Sequence, residues 1–312
     1  MRWGLLVSDA IEWVAVDWGT SNLRAWGMSV AGAPISSATS DKGMGKLERG
    51  QYPQALQDVV RELGVEDGRH LDVLVCGMAG ARQGWIEAPY LEAPTDLRGL
   101  AQSSVRPDVP GSTLSVSILP GVCQKRGGEN VMRGEETQLL GLASTQQGYE
   151  GLVCMPGTHS KWAYLRDTHI GQFSTAMTGE VFEVLRTHSV LRHSLTGEND
   201  GAARDAGFGT GASDGLARPQ DLLGQLFRVR AASLLSGRDS SWCAGYLSGL
   251  LIGTEVAAHL DDIGEAAVPL IGSTSLCALY ATVLSMAGKD GRPVDATSVA
   301  IAGLSAARQQ LA

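Results

Sequence analysis

A chain of 312 residues with 44% apolar and 19% charged side chains has the material for two domains with separate cores and excludes an extended disordered protein. Its formal net charge of −8 excludes nucleic acid as a bulk polyanionic partner, while leaving room for a local cationic pocket that binds a small anion. The five cysteines, Cys76, Cys123, Cys154, Cys243 and Cys277, are scattered and form no C-x-x-C pair, which excludes a disulfide framework or a zinc site and predicts buried thiols.

The first sixteen residues contain Asp9 and Glu12 and no small-residue cleavage pattern, so no secretory signal is expected. Strand-like runs follow at Trp13 to Asp17, Leu23 to Ser29 and Ile35 to Ser40. Between the first two lies Asp17-Trp-Gly19-Thr20-Ser21-Asn22, an apolar run stopped by a Gly-Thr-Ser turn. Such a turn offers backbone N–H groups and hydroxyls to a phosphate, and Asp17 adds a carboxylate able to work through a metal. A plain hairpin turn that closes two strands describes the same residues when they are taken alone. Helical spacing at Ala55, Leu56, Val59, Val60 and Leu63 and a strand at Leu71 to Cys76 lead to a glycine-rich turn. A mixed, partly helical segment from Tyr90 to Gln102 and a strand at Leu114 to Leu119 complete the first half.

Gly, Lys and Arg break the pattern between Gly121 and Glu129, which predicts an N-terminal domain of residues 1–126 and a C-terminal domain of residues 127–312. Just beyond, Arg133-Gly134-Glu135-Glu136-Thr137-Gln138 presents two carboxylates. A kinase acting on an alcohol needs a carboxylate to accept the hydroxyl proton, and Glu135 or Glu136 is the candidate. A helix N-terminus that favours acidic residues without any chemistry accounts for the pair equally well.

The second half repeats the order of elements, with strands at Leu152 to Met155, Trp162 to Leu165 and His169 to Ser174 and a helix from Gly179 to Arg192. Helices at Gln220 to Leu235 and Trp242 to Leu260, a strand at Val268 to Ile271, a helix at Ser273 to Met286, a strand at Ser298 to Ile301 and a last helix follow. The glycine-rich stretch from Gly197 to Gly215 reads as a long loop of the kind that serves as a lid or binding loop. The apolar stretch from Tyr246 to Leu260 carries Glu255 and His259 and falls short of a membrane span. Pro156-Gly157-Thr158-His159-Ser160-Lys161 takes the place of the first turn, so the halves read as one domain used twice, each with a phosphate turn. A P-loop is disfavoured because Gly45-Lys46 is followed by Leu47, and Gly207-Phe-Gly209-Thr-Gly211 fails the dinucleotide pattern because Ala212 and Asp214 follow.

Duplicated halves that each carry a phosphate turn resemble the actin, hexokinase and heat-shock ATPase superfamily. The resemblance implies an α/β fold of two duplicated actin-like (ribonuclease H-like) domains with ATP in the cleft between them. It puts the ATP cofactor against Asp17, Gly19, Thr20 and Ser21 and against Gly157, Thr158, His159, Ser160 and Lys161, with Mg2+ on Asp17 and adenosine against Gly272 and Ser273. The acidic segment resembles the Gly-Asp-Gln-Gln stretch of the FGGY carbohydrate kinases, whose Asp is the base. Mapping by Gly134 implies Glu135, and Glu for Asp is a departure that leaves Glu135 and Glu136 both open. Arg24 matches an arginine of those kinases, and Gly77-Met-Ala-Gly-Ala-Arg82-Gln83 resembles their sugar-contacting loop. Substrate contacts from Asn22, Arg24, Arg82, Gln83 and Trp85 are thereby implied, and a guanidinium at Arg82 suits the carboxylate of a sugar acid.

More specific wording runs through Asp17 to Trp26, Asp41-Lys-Gly-Met-Gly45, Gln83 to Tyr90, Pro156 to Trp162, Thr178-Gly-Glu-Val-Phe182 and Thr187 to Leu191. It resembles the 2-dehydro-3-deoxygalactonokinase family over most of the chain. That resemblance implies phosphorylation of the 6-hydroxyl of 2-dehydro-3-deoxy-D-galactonate by ATP with Mg2+, a cytoplasmic step of galactonate breakdown. The expected partners are a sugar acid and ATP, with neither nucleic acid nor membrane, and the chain is open between monomer and homodimer. The phosphate turns alone leave a kinase for another sugar or sugar acid, or a non-enzymatic ATP-switched protein of the superfamily, as alternatives.

Overall fold

The computed structural model describes residues 10–66, 68–197 and 200–311, and the chain divides into two bodies. The first comprises the described residues of 1–149, 165–172 and 296–312, and the second those of 150–164 and 173–295.

In the first body, β1 (Trp13–Trp18), β2 (Leu23–Met28) and β3 (Pro34–Ser40) form an antiparallel meander, and α1 (Tyr52–Glu62) leads to β4 (Leu71–Gly77). Short strands β5 (Tyr90–Glu92) and β6 (Thr95–Asp96) precede β7 (Leu114–Ile118), and β8 (Gly121–Gln124) and β9 (Asn130–Met132) precede α2 (Glu135–Thr145). The main sheet has the order β3-β2-β1-β4-β7, with β4 parallel to both β1 and β7. Central strands covered on both faces need near-continuous apolar runs, and Val14, Ala15 and Val16 of β1 and Val73 to Cys76 of β4 are all buried. Helix α1 buries Ala55, Leu56, Val59 and Val60, the stripe its sequence spacing predicts.

The second body is built from β10 (Glu150–Met155), β11 (Ser160–Arg166) and β12 (His169–Ala176), then helices α3 (Thr178–His188), α4 (Arg192–Leu195), α5 (Gly201–Ala217), α6 (Leu222–Ser236) and α7 (Ser240–Ala257). Strand β13 (Val268–Gly272), helix α8 (Thr274–Met286) and strand β14 (Gly291–Asp295) follow, and α9 (Ala296–Gln309) returns to the first body. Its sheet runs β12-β11-β10-β13-β14, the same strand order as the first body, so the duplicated actin-like architecture is present in both. The tip of the β11–β12 hairpin, residues 165–172, belongs to the first body, where His169 and Ile170 pair with Asp96 and Thr95 of β6.

Three expectations are corrected. The glycine-rich stretch read as a long loop contains α5, packed along α7. Gly207 and Gly211 lie so close to α7 that a Cβ would meet the carbonyl oxygens of Trp242 and Tyr246 at 2.1 Å. Gly245 and Gly249 return the contact on Arg204 and Phe208, so glycine here allows two helix backbones to touch. The strand expected at Ser298 to Ile301 lies inside α9, and the parallel edge strand is β14 just before it. The division of the chain falls at Tyr149/Glu150 rather than at 126/127, and both α2 and α9 belong with the first body. Close packing is again the cause: a Cβ on Gly141 of α2 would lie 1.8 Å from the Val299 carbonyl oxygen, and one on Gly303 of α9 would lie 1.9 Å from that of Thr137.

Candidate active site

The Gly-Thr-Ser turn expected to hold phosphate joins β1 to β2, closed by the Gly19 N–H donating to the Asn22 carbonyl at 2.8 Å. The segment Asp41 to Gly45 lies under it. Met44 N–H donates to the Gly19 carbonyl at 3.0 Å and Gly45 N–H to the Thr20 carbonyl at 2.9 Å. In a trans peptide the C=O and the following N–H point opposite ways, so the amides of Thr20 and Ser21 are turned away from that segment. Gly43 makes the close contact possible, since a Cβ there would meet the Ser21 carbonyl carbon at 2.2 Å. Thr20, Ser21 and Asn22 are exposed at the tip, whereas Trp18 is buried against Tyr52 and Trp85. Asp17 is half-buried and its carboxylate is ion-paired with Arg24.

The acidic segment meets this turn at the C-terminal end of β4. Gly77 has φ +89°, and a Cβ there would lie 2.6 Å from the Trp18 carbonyl oxygen and 3.4 Å from an Asp17 carboxylate oxygen. Gly134, with φ +109°, faces Gly77 in turn, and a Cβ on it would lie 3.4 Å from the Gly77 Cα. Two glycines thus stack the start of α2 onto the strand ends that carry Asp17. Glu136 points inward, fully buried, accepting from the Gly134 N–H at 2.7 Å and from the Thr137 hydroxyl at 3.0 Å. Burial, aided by the charge of Glu135, raises its pKa to about 7. Glu135 is partly exposed and accepts from the Arg133 N–H at 3.0 Å. The Cys76 thiol, opposite Asp17 in the β1–β4 ladder, is pushed up by burial and then by the charges of Asp17 and Glu136.

The loop after β4 coils tightly, with Trp85 N–H donating to the Ala79 carbonyl at 2.8 Å. It leaves Arg82 and Gln83 exposed at its tip, and Arg49 donates to the Arg82 carbonyl at 2.6 Å. Trp85 turns into the core and stacks on Tyr52 at 5.9 Å, so its ring packs the base of the site. Arg133, which the motif reading passed over, is buried over the Tyr90 ring and donates to the Ala88 carbonyl at 2.8 Å, tying this segment to α2.

In the second body, the turn between β10 and β11 exposes Thr158 and His159 and buries Ser160 and Lys161. The Glu180 N–H donates to the Thr158 carbonyl at 3.0 Å, which by the same peptide geometry turns the His159 amide away from α3. The first turn of α3 sits against it: a Cβ on Gly179 would lie 2.6 Å from the Gly157 carbonyl oxygen, and Glu180 pairs with His159. Gly272, at the end of β13, abuts the Pro156 carbonyl, and Ser273 caps α8 by accepting from the Leu276 N–H at 3.3 Å. Beside them opens a mainly apolar cavity of about 260 Å³ reached by Gly157, Thr178, Phe182, Arg204, Ile252 and Leu276. The spacing of Phe182 and Arg204 on two separate helices hid this cavity from the sequence.

A larger cavity, about 770 Å³, lies along the first residues of β4 near Asp72 and Arg308, away from the strand end that carries Gly77. Ligands of open α/β sheets bind beyond the carboxyl ends of strands, so position outweighs volume here. Among the described residues no cluster of three or more His, Cys, Asp or Glu side chains could cage a metal. A hard cation bound chiefly through nucleotide phosphates needs only one or two carboxylates, which is what Asp17 offers.

A model of the 2-keto-3-deoxy-galactonokinase family matches residues 17–307. The chain is 41% identical over 307 residues to the Rhizobium meliloti (strain 1021) protein named "Probable 2-dehydro-3-deoxygalactonokinase DgoK1", covering 98% of this chain and 99% of that one. It is 36% identical over 296 residues to the 2-dehydro-3-deoxygalactonokinase of Escherichia coli (strain K12), covering 94% and 96% respectively. A crystal structure from Sinorhizobium meliloti bearing the same kinase name superposes with a TM-score of 0.88 at 40% identity, over 96% of this chain and 99% of that one. A chain of the PilM–PilN type IV pilus biogenesis complex shares the fold alone, with a TM-score of 0.51 at 14% identity.

Proposed function

We propose, because the chain belongs to the 2-keto-3-deoxy-galactonokinase family, that it transfers the terminal phosphoryl group of ATP to the 6-hydroxyl of 2-dehydro-3-deoxy-D-galactonate, giving the 6-phosphate and ADP. The observation that carries the chemistry is the stacking of Gly134 on Gly77, which supports placing a carboxylate-bearing helix start beside Asp17.

In this reading Glu135 is the base. A group that takes a hydroxyl proton must be reachable, and Glu135 is partly exposed whereas Glu136 has no exposed surface. Glu136 anchors the helix start from below through the Gly134 N–H and so sets where Glu135 stands. Outward amides and hydroxyls of Thr20 and Ser21 bind phosphate oxygens in the first body, and Thr158 and the His159 amide bind them in the second. Mg2+, when bound, supplies charge neutralisation to the nucleotide phosphates, and Asp17 is the residue that would hold it. The apolar cavity beside Gly272 fits the adenine and ribose faces. Arg82, exposed at its loop tip, offers a bidentate fork to the carboxylate of the sugar acid. Five free, buried cysteines suit the reducing cytoplasm, where ATP is available.

The test is ADP release with Mg-ATP on 2-dehydro-3-deoxygalactonate, beside 2-dehydro-3-deoxygluconate, galactonate and glycerol. Selective turnover of the first is expected. Bound ATP with no turnover on any sugar acid would overturn the reading.

A further inference from the structure

Behind the second turn, Glu255 of α7 is 6% exposed and accepts from several uncharged side chains of the second body. Trp162 Nε1 donates to its Oε1 at 2.8 Å, Tyr280 OH donates to its Oε2 at 2.7 Å, and the Thr178 hydroxyl donates to Oε2 as well. The Tyr280 hydroxyl also lies 2.9 Å from Ser160 Oγ, and Ser160 Oγ accepts from the Gly157 N–H at 3.4 Å. An ionised carboxylate accepts only, so it fixes the direction of the whole chain. Tyr280 donates its hydrogen bond to Glu255, Ser160 then donates to Tyr280, and a Ser160 lone pair is left for the Gly157 N–H.

We infer that Glu255 is a positioning residue for nucleotide binding, holding the second phosphate turn from Gly157 to Ser160, and the α3 start at Thr178, in one arrangement. Both ends of the turn and the helix packed on it converge on this one carboxylate. Thr178, Tyr280 and Gly157 also border the apolar cavity, so the same hub joins the turn to the cavity wall. Burial pushes the Glu255 carboxyl up, opposed by the donors from Thr178, Tyr280 and Trp162. A group under that strain of desolvation keeps its place only while its donors stay paired, which makes the network sensitive to removal of any one.

This inference rests on the reading of Gly157 to Lys161 as a phosphate turn. Its test compares Glu255→Ala, Glu255→Gln and Tyr280→Phe by separate KM and kcat measurements for ATP and for the sugar acid, with a thermal melt of each. Glu255→Ala should raise KM for ATP roughly tenfold or more while KM for the sugar acid stays within about twofold. Glu255→Gln should recover most of that loss, because the hydroxyls of Tyr280 and Thr178 can reverse their protons toward an amide while Trp162 keeps an acceptor. Tyr280→Phe removes the hydroxyl bridging Ser160 to Glu255 with the ring retained, and should raise KM for ATP roughly threefold or more. Unchanged KM for ATP in Tyr280→Phe, with Glu255→Ala altering only the melting temperature or the amount of active enzyme, would overturn the inference. If the unaltered protein fails to bind ATP at all, the phosphate-turn reading falls and the inference falls with it, a result distinct from the first.

Discussion

Asp17 and Arg24 stand directly opposite each other in the antiparallel β1–β2 ladder, and their side chains form an ion pair. The seven-residue interval between them is therefore the register of a tight hairpin, and Arg24 is steadied further by donating to the Thr297 hydroxyl at 3.1 Å. Under the proposed function, the Arg24 guanidinium and Mg2+ would compete for the Asp17 carboxylate. The Arg24 side chain is 35% exposed, so the pair contributes about 1 kcal/mol or less. Arg24→Gln should accordingly lower the half-saturating Mg2+ concentration by roughly two- to fivefold, read from initial rates at fixed ATP. An unchanged Mg2+ dependence would separate the ion pair from the metal site.

Glu135 and Glu136 are adjacent in sequence but differ in task. Glu135→Gln should lower turnover by a factor of roughly 100 to 10,000 with the fold retained, whereas Glu136→Gln should lower it far less. Their pH dependence differs as well. The folded chain holds Glu136 protonated up to about pH 7, against an ordinary 4.5. Between those values the unfolded chain has already lost the proton, so stability is greatest below the lower value and falls as pH rises through the window. The loss is on the order of 3 kcal/mol. Melting temperatures of the unaltered protein should decline from pH 5 to pH 7 more steeply than those of Glu136→Gln, and parallel curves would refute this.

Much of the fold was legible because central strands and α1 are governed by burial alone. Val14 to Val16, Leu71 to Cys76 and the stripe from Ala55 to Val60 announce themselves by periodicity. The glycines near Asp17 and Glu135 were legible for a different reason, since Gly77 approaches the Trp18 carbonyl too closely for a side chain and Gly134 takes a positive φ. Three-dimensional facts were not legible. Nothing local tells that Glu136 turns inward while Glu135 stays outward, that Trp85 packs into the core, or that Glu255 lies behind a turn about a hundred positions earlier. The high glycine content of α5 masks its helical character, although the spacing of those glycines carries it. Gly207, Gly211 and Gly215, like Gly245, Gly249 and Gly253, recur every fourth residue, which is one face of a helix.

The α2–α9 contact predicts a coupling between stability and activity. Gly141→Ala would place a methyl group 1.8 Å from the Val299 carbonyl oxygen, and backbone cannot rotate aside as a flexible side chain can. The expected destabilisation is about 3 kcal/mol or more. Because α2 carries Glu135, turnover per folded molecule should fall as well, with KM for ATP less affected. A melting temperature equal to that of the unaltered protein would show that the two helices do not touch at the backbone.

Within α5 two glycines two residues apart make opposite predictions. Gly211 faces α7, where an added methyl would meet the Tyr246 carbonyl oxygen at 2.1 Å and the Leu250 amide nitrogen at 2.8 Å. Gly209 faces open space, with nothing within 4 Å. Glycine in a helix interior is less favourable than alanine by roughly 0.5 to 1 kcal/mol, because it loses more backbone freedom on folding. Gly209→Ala should therefore raise the melting temperature by about 1 to 4 °C, and Gly211→Ala should lower it by more than that. If α5 were instead the mobile loop its composition suggests, both substitutions would leave the melting temperature nearly unchanged, and differential scanning of the pair distinguishes the two cases directly.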